Sequence, residues 1–312
     1  MNKKKIKNVL VVLGGTSGER AVSLDSGKAC ILALKKKGYK VSTFDPKIKN
    51  FNLINKKKID VIFNALHGRD GEDGIAQSYF EYLKIPYTHS GVISSYKAMN
   101  KVYSKEIFIK NKIKTPRYFC INKSFFKINV IKKSIKNFKI KFLVVIKPIN
   151  EGSSLGVMIC KNMETLIKST KKLLNKYNEL ILEEYIDGQE IQVAVINGKP
   201  IGAIELIPRR LFYDYKAKYT KKAKTKHVMP ARLSKKKYKE VLSIAKKVHN
   251  VLNCRGVTRS DFKFFNNNFH LLEINTQPGM TSLSLVPEIA TFTGLTFENL
   301  VEKILLDASI NK

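Results

Sequence analysis

Short continuous apolar runs alternate with segments of helical apolar spacing through the first hundred residues. Ile6 to Leu13 is such a run and predicts a buried strand, stopped by the loop Gly14-Gly15-Thr16-Ser17-Gly18-Glu19-Arg20. A helix is predicted from about Val22 to Lys37 and a strand from Tyr39 to Phe44. Asp60 to Leu66 predicts a further short strand, followed by the loop His67-Gly68-Arg69-Asp70-Gly71-Glu72-Asp73-Gly74 and a helix ending near Leu83. Strands alternating with helices through glycine-rich turns predict a parallel α/β layer. Ligands of such sheets bind beyond the carboxyl ends of the strands, which is where both glycine-rich loops fall.

From about residue 99 the pattern changes. Helical spacing covers Lys101 to Lys110, and Lys141 to Pro148 predicts an apolar strand carrying Lys147 near its end. The loop Asn150-Glu151-Gly152-Ser153-Ser154-Leu155-Gly156 leads into another strand, then a helix near Glu164 to Lys176 and the strand Leu180 to Tyr185. Ile191 to Val195 and Ile201 to Leu206 flank Asn197-Gly198, a pair that accepts the positive φ angles of a type I′ hairpin. Residues 208–230 carry aromatics and lysines without a period; a long ordered loop of this kind serves as a lid. A helix over about 235–252, two strands and one helix near the C-terminus complete the expected order.

With 312 residues, 44% hydrophobic and 27% charged, the chain has globular composition and room for two or three domains; disorder, collagen and coiled coil are excluded. The longest apolar run near its start, Val9 to Leu13, is too short for a signal sequence or a membrane span. The protein is therefore expected in the cytoplasm, without a membrane partner. The four cysteines are scattered, with no CxxC pair, which argues for reduced thiols rather than zinc or disulfides. The net charge of +33 rests on 58 basic residues, of which only eight are arginine. That is an unusual balance for nucleic-acid recognition, which favours bidentate guanidinium contacts. Residues 59–83 and 264–302 contain no lysine, and these windows hold much of the Gly, His, Asp, Glu and Asn. The lysines are therefore expected to decorate solvated faces, and no dedicated nucleic-acid partner is expected.

Candidate chemistry gathers in Arg259-Ser260-Asp261-Phe262 and Leu272-Glu273-Ile274-Asn275, separated by the turn-forming Asn266-Asn267-Asn268. A hairpin centred on Asn267 pairs Asp261 with Glu273 and Arg259 with Asn275. Strand alternation then puts all four side chains on one face, with Phe262, Leu272 and Ile274 on the other. Two carboxylates and an amide suit a hard cation such as Mg²⁺ better than zinc; the alternative is a hydrated surface hairpin in which Arg259 bridges to Asp261 or Asn275. No GxxxxGK[ST] or GxGxxG motif is present. Lys147 and the small-residue loop from Glu151 to Gly156, Ser154 included, would clamp a triphosphate through the ammonium and backbone N–H groups; the alternative is an exposed lysine before a turn. Glu183, Glu184, Tyr185, Ile186 and Glu190 would offer main-chain groups to adenine and carboxylates to ribose; the alternative is a solvated acidic edge.

Six segments, in order, resemble the D-alanine–D-alanine ligases of the ATP-grasp superfamily: GGTSGERAVS (14–23), ALHGRDGEDG (65–74), KPINEGSSLG (147–156), ILEEYIDGQE (181–190), FYDYKAKY (212–219) and LLEINTQPGMTSLSLVP (271–287). The resemblance covers nearly the whole chain. It implies a mixed α/β and α+β, three-domain architecture: a parallel α/β domain over 1–98, a central domain over 99–186, and a C-terminal domain over 187–312 with the lid. It implies ATP-dependent ligation of two D-alanines through a D-alanyl phosphate, for peptidoglycan precursor synthesis, by a homodimer. Lys101, Lys147, Ser154, Glu183, Glu184, Ile186 and Glu190 fall on the nucleotide side. Asp261, Glu273 and Asn275 match ligands of two Mg²⁺ ions, which Mn²⁺ can replace. Glu19, supported by Ser153, matches the acid that orients the first D-alanine, and His67 lies near it. Arg259 and the Gly279 amide match the oxyanion site, Ser284 and Leu285 the second D-alanine, and Lys218 and Tyr219 the lid. Glu184 departs from relatives that carry a basic residue there, which main-chain contact to adenine would tolerate. The alternatives are a D-alanine–D-lactate ligase, which the lid tyrosine Tyr219 argues against, another ATP-grasp carboxylate–amine ligase, and a basic nucleic-acid-binding protein.

Overall fold

The first apolar run forms β1 (Asn8–Val12), with Val9 to Val12 all buried, as a central parallel strand requires. It pairs in parallel with β2 (Lys40–Phe44) on one side and β3 (Val61–Asn64) on the other. A computed structural model describes residues 6–208 and 225–310. One face of this sheet packs on α1 (Arg20–Lys36) through Cys30, Ala33 and Leu34; the other packs on α2 (Ile75–Leu83) through Ala76 and Phe80.

Beyond the short helices α3 (Val92–Met99) and α4 (Lys101–Lys110), an antiparallel sheet has the order β4-β7-β5-β6. Its strands are β4 (Tyr118–Asn122), β5 (Val144–Pro148), β6 (Met158–Cys160) and β7 (Glu179–Glu184). Leu180, Leu182, Val144 and Ile146 turn toward α5 (Ile128–Asn137) and α6 (Met163–Leu174), where Ile131, Leu166 and Leu173 complete the core. Alternation sends Val145, Lys147, Ile181 and Glu183 to the opposite face.

The third sheet is antiparallel, with β8 (Gln189–Ile196), β9 (Lys199–Ile207), β10 (Lys226–Val228), β11 (Val257–Phe265) and β12 (Asn268–Asn275) in the order β10-β9-β8-β11-β12. Ile191, Val193 and Val195 pack on α7 (Lys235–Val251), while Ala194 and Ile196 join the core shared with the first sheet. Asn197 and Gly198 form the expected two-residue turn, with φ of 48° and 72°. One helix was expected near the C-terminus; two are present, α8 (Leu285–Phe292) and α9 (Phe297–Leu306). Gly294, at φ 83°, lies between them, and the Thr296 side chain caps the second by accepting from the Asn299 N–H.

Buried polar ties hold the N-terminal sheet to the rest. The Arg255 guanidinium donates to the carbonyls of Tyr87, His89 and Ser309 and lies over the Tyr87 ring. Two buried histidines flank this region. Burial holds His89 at about 3 and His249 at about 4, against an ordinary value of 6.5. An unfolded chain therefore takes up protons at both positions below pH 6.5 while the folded one does not. Stability from this source is complete above that pH and is lost as pH falls toward the folded values. The melting temperature, followed by circular dichroism, is expected to drop on acidification from pH 6.5 to about 4. A His249→Gln variant should lose part of that slope; an unchanged slope would count against the assignment.

Candidate active site

The hairpin register is decided by one extra residue. Arg259 pairs with Asn275 and Asp261 with Glu273, the register expected, but the turn is shorter than expected. Phe265 pairs with Asn268, so the loop is Asn266-Asn267, with φ of 45° and 61°, rather than three residues. A bulge between Asp261 and Phe262 brings Phe262 opposite Leu271 and leaves Leu272 unpaired. The expectation that Leu272 shares the face of Phe262 and Ile274, away from Glu273, is therefore corrected. Leu271 is fully buried in the core, and Leu272 lines a cleft beside Glu273.

Two clefts, of about 870 and 780 Å³, meet at this hairpin and share Lys101, Glu151 and Glu273 as lining residues. The first gathers Glu19, His67, Ser153, Arg259, Asn275, Gly279, Ser284 and Leu285. The second lies against the face of the four-stranded sheet turned away from α5 and α6 and gathers Lys147, Ser154, Glu183, Glu184, Ile186, Glu190 and Asp261. Every site residue expected from the sequence lies on one of these walls except Lys218 and Tyr219, which fall outside the described residues.

In the first cleft, Glu19 is buried at the N-cap of α1 without capping the helix through its side chain. Gly152, from the central loop, lies against it: a Cβ there would stand 2.6 Å from Glu19 Oε1. His67 is also buried, its Nδ1 3.0 Å from Glu72 Oε1 and its Nε2 3.0 Å from Ser26 Oγ. Ser26 Oγ accepts from the Met280 N–H at 3.1 Å, next to Gly279. Gln277 hydrogen-bonds through its side chain to Asn64 and the Leu66 carbonyl, and its main-chain N–H donates to Asn275 Oδ1 at 2.7 Å. Helix α1, the end of β3 and the loop after it thus fix the segment that carries Asn275 and Gly279.

In the second cleft, the buried Glu183 carboxylate faces Lys147 through Oε1 and Lys105 through Oε2. Burial works against its charge, yet the two lysines hold it below the ordinary carboxylate range. Lys147 is lifted above the usual lysine value: burial opposes its charge, and Glu183 and Glu273 outweigh that. Lys101 is lowered by burial, although Glu273 lies 3.5 Å away; its Nζ donates to the Glu151 carbonyl. Glu184 is clasped by Arg117 at 2.7 and 2.9 Å, so its carboxylate is engaged while its chain borders the cleft. Lys263 lies 3.4 Å from Glu190.

Arg259 grips Asp261 with two hydrogen bonds of 2.7 and 2.9 Å, the bridge anticipated as the alternative to a metal face. The cluster nevertheless lines the clefts and not an open surface. Among the described residues no three His, Cys, Asp or Glu side chains gather as a cage. Asp261, Glu273 and Asn275 instead offer a partial oxygen set on one face, able to hold a hard cation whose shell is completed by phosphate and water.

Sequence reasoning missed Ser26, Asn64, Glu72, Lys105, Gln192, Lys263 and Gln277. Lys105 had a local signal, four residues after Lys101 on one helix. Gln277 and Asn64 had none, since 213 positions separate them.

The family model described as the D-ala D-ala ligase N-terminus matches residues 43–90, and that of the C-terminus matches residues 107–306. The chain is 56% identical over 306 residues to the D-alanine–D-alanine ligase of Pelagibacter ubique (strain HTCC1062), covering 98% of this chain and 99% of that one. A crystal structure of D-alanine–D-alanine ligase from Bacillus anthracis superposes with a TM-score of 0.84 at 31% identity, over 96% and 97% of the two chains. The same enzyme complexed with ATP gives 0.81 at 29%, over 97% of each. The fold is thus the mixed α/β and α+β arrangement of ATP-grasp ligases, and no described helix is long and apolar enough to cross a membrane. With matching family models over most of its length and a relative this similar from end to end, the chain belongs to the D-alanine–D-alanine ligase family.

Proposed function

We propose that this chain joins two D-alanine molecules into D-alanyl-D-alanine, converting ATP to ADP and phosphate, as a cytoplasmic step toward peptidoglycan. The reading is carried by the two joined clefts: a buried acid, Glu19, lies in one and a lysine–glutamate lining in the other, with the Arg259–Asp261–Glu273–Asn275 face between them.

Lys101, Lys147 and the loop around Ser154 hold the phosphates, Glu183 and the chain at Glu184 and Ile186 hold adenine, and Glu190 holds ribose. Glu19, with Ser153 and His67, binds the ammonium of the first D-alanine and aims its carboxylate at the γ-phosphate. An oxygen of that carboxylate attacks phosphorus, the bond to ADP breaks, and a D-alanyl phosphate remains. The second D-alanine, beside Ser284 and Leu285, loses an ammonium proton; its nitrogen attacks the acyl carbon, and phosphate leaves. Arg259 and the Gly279 N–H stabilise the oxyanion formed in between. The donor chemistry of Asp261, Glu273 and Asn275 fits Mg²⁺, two ions with Mn²⁺ as a substitute; bound there, the metal supplies charge neutralisation at the phosphates.

The chain is also proposed to act as a homodimer. Ile75, Tyr79 and Tyr82 on the lysine-free α2, with Ile93 and Tyr96 on α3, are exposed apolar side chains on neighbouring helices. Such a patch favours a second apolar surface.

Mass analysis after incubation with ATP, Mg²⁺ and D-alanine should find D-alanyl-D-alanine, with none from L-alanine. Phosphate release without dipeptide would reject the second substrate. Arg259→Ala is expected to slow turnover roughly a hundredfold or more, the loss of an oxyanion donor worth about 3–4 kcal/mol; near-normal turnover would remove Arg259 from that role. Gly152→Ala should raise the KM for D-alanine while sparing that for ATP, because its Cβ displaces the Glu19 carboxylate. Light scattering should give twice the chain mass, and Tyr79→Lys with Tyr82→Lys should halve it.

A further inference from the structure

Lys105 is a fully buried lysine that lines neither cleft. Its ammonium donates to Thr115 Oγ1 at 2.6 Å, lies 3.1 Å from Glu183 Oε2, and sits 5.4 Å from the centre of the Tyr118 ring. Thr115 in turn donates to the Leu271 carbonyl at 2.8 Å, so this lysine is fixed between the central domain and the metal-face hairpin. Lys147 lies on the other oxygen of the same carboxylate, but it borders the cleft. One buried acid therefore has two cations, one of them at the cleft and the other shut away from it.

The arrangement costs something, since burial lowers Lys105 to about 8 despite the neighbouring acid. A buried carboxylate with a single partner is a sufficient pair; the second cation needs a reason. Were Lys147 to turn toward a triphosphate, it would give up part of its contact with Glu183, and a buried carboxylate left without a cation is strongly unfavourable. Lys105 removes that conflict because it stays when Lys147 moves.

We propose that Lys105 is a positioning residue, the standing counter-ion of Glu183 that releases Lys147 to a bound nucleotide. This rests on the nucleotide reading of the second cleft and extends it. The substitution Lys105→Met keeps the length and the burial and removes the charge, leaving Glu183 to hold Lys147.

The test is ADP affinity by isothermal titration calorimetry on the full chain, together with steady-state kinetics. Lys105→Met should weaken ADP binding at least tenfold and raise the KM for ATP by a similar factor. The KM for D-alanine and the turnover at saturating ATP should stay within about threefold. A structural loss would instead reduce turnover and leave KM unchanged. Glu183→Gln removes the acid that Lys105 serves, so adding Lys105→Met in that background should change ADP affinity by less than threefold. That double variant removes both the acid and its fully buried cation, leaving only Lys147 at the cleft, and decides the matter even where Lys105→Met alone fails to fold. A further tenfold loss in that background, or unchanged ADP affinity in Lys105→Met, would overturn the proposal. Lys147→Met separates the two levels: if it leaves ADP affinity unchanged, the nucleotide reading fails, and not merely the role of Lys105.

Discussion

One unpaired residue in a β-hairpin sets the geometry on which both clefts depend. A two-residue turn between β11 and β12 would on its own shift the two strands by one position, and a one-residue shift sends each side chain to the opposite face. The bulge at Leu272 restores the pairing of Asp261 with Glu273 and of Arg259 with Asn275. It also turns an apolar side chain into the second cleft, beside Val145, Leu155 and Val157. That cleft thereby has an apolar wall for a flat ring at one end and charged groups at the other.

The charges follow from burial. Lys101, Lys105, Lys147 and Glu183 are all at most 7% exposed, and in such surroundings an isolated charge would lose its proton or gain one. Glu183 and Glu273 facing these lysines oppose that loss, and Lys101 and Lys147 on the wall of the second cleft suit an anion. The abundant surface lysines take no part in this. Most of them lie on solvated faces, whereas these three reach the interior because helix α4 and strand β5 converge on the end of β7.

The N-terminal sheet does more than cover the clefts. His67 holds Ser26, whose Oγ accepts from the Met280 N–H, and Asn64 and Leu66 hold Gln277, whose own N–H donates to Asn275. Arg255 closes the same junction from the other side, through the carbonyls of Tyr87 and His89. Buried polar groups joined in this way fix relative position more tightly than apolar contact, because each broken bond leaves an unsatisfied partner.

The parallel layer, the Asn197-Gly198 hairpin and the pairing of Asp261 with Glu273 were legible in the sequence, since each depends on local alternation and turn chemistry. So were the segments that carry Glu19, Lys147 and Gly279, whose glycines mark close approach of backbone. The short turn and its compensating bulge were not, because two errors of one residue cancel and leave the same carboxylates opposed. The second C-terminal helix was missed where a brief Gly-Leu-Thr break lies inside a continuous apolar pattern. The sequence by itself determined which residues could carry the chemistry, through short-range periodicity and motif. Only the tertiary structure decided that Lys105 stands behind Glu183 and that Gln277 meets Asn64, because burial and long-range pairing arise when distant segments pack together.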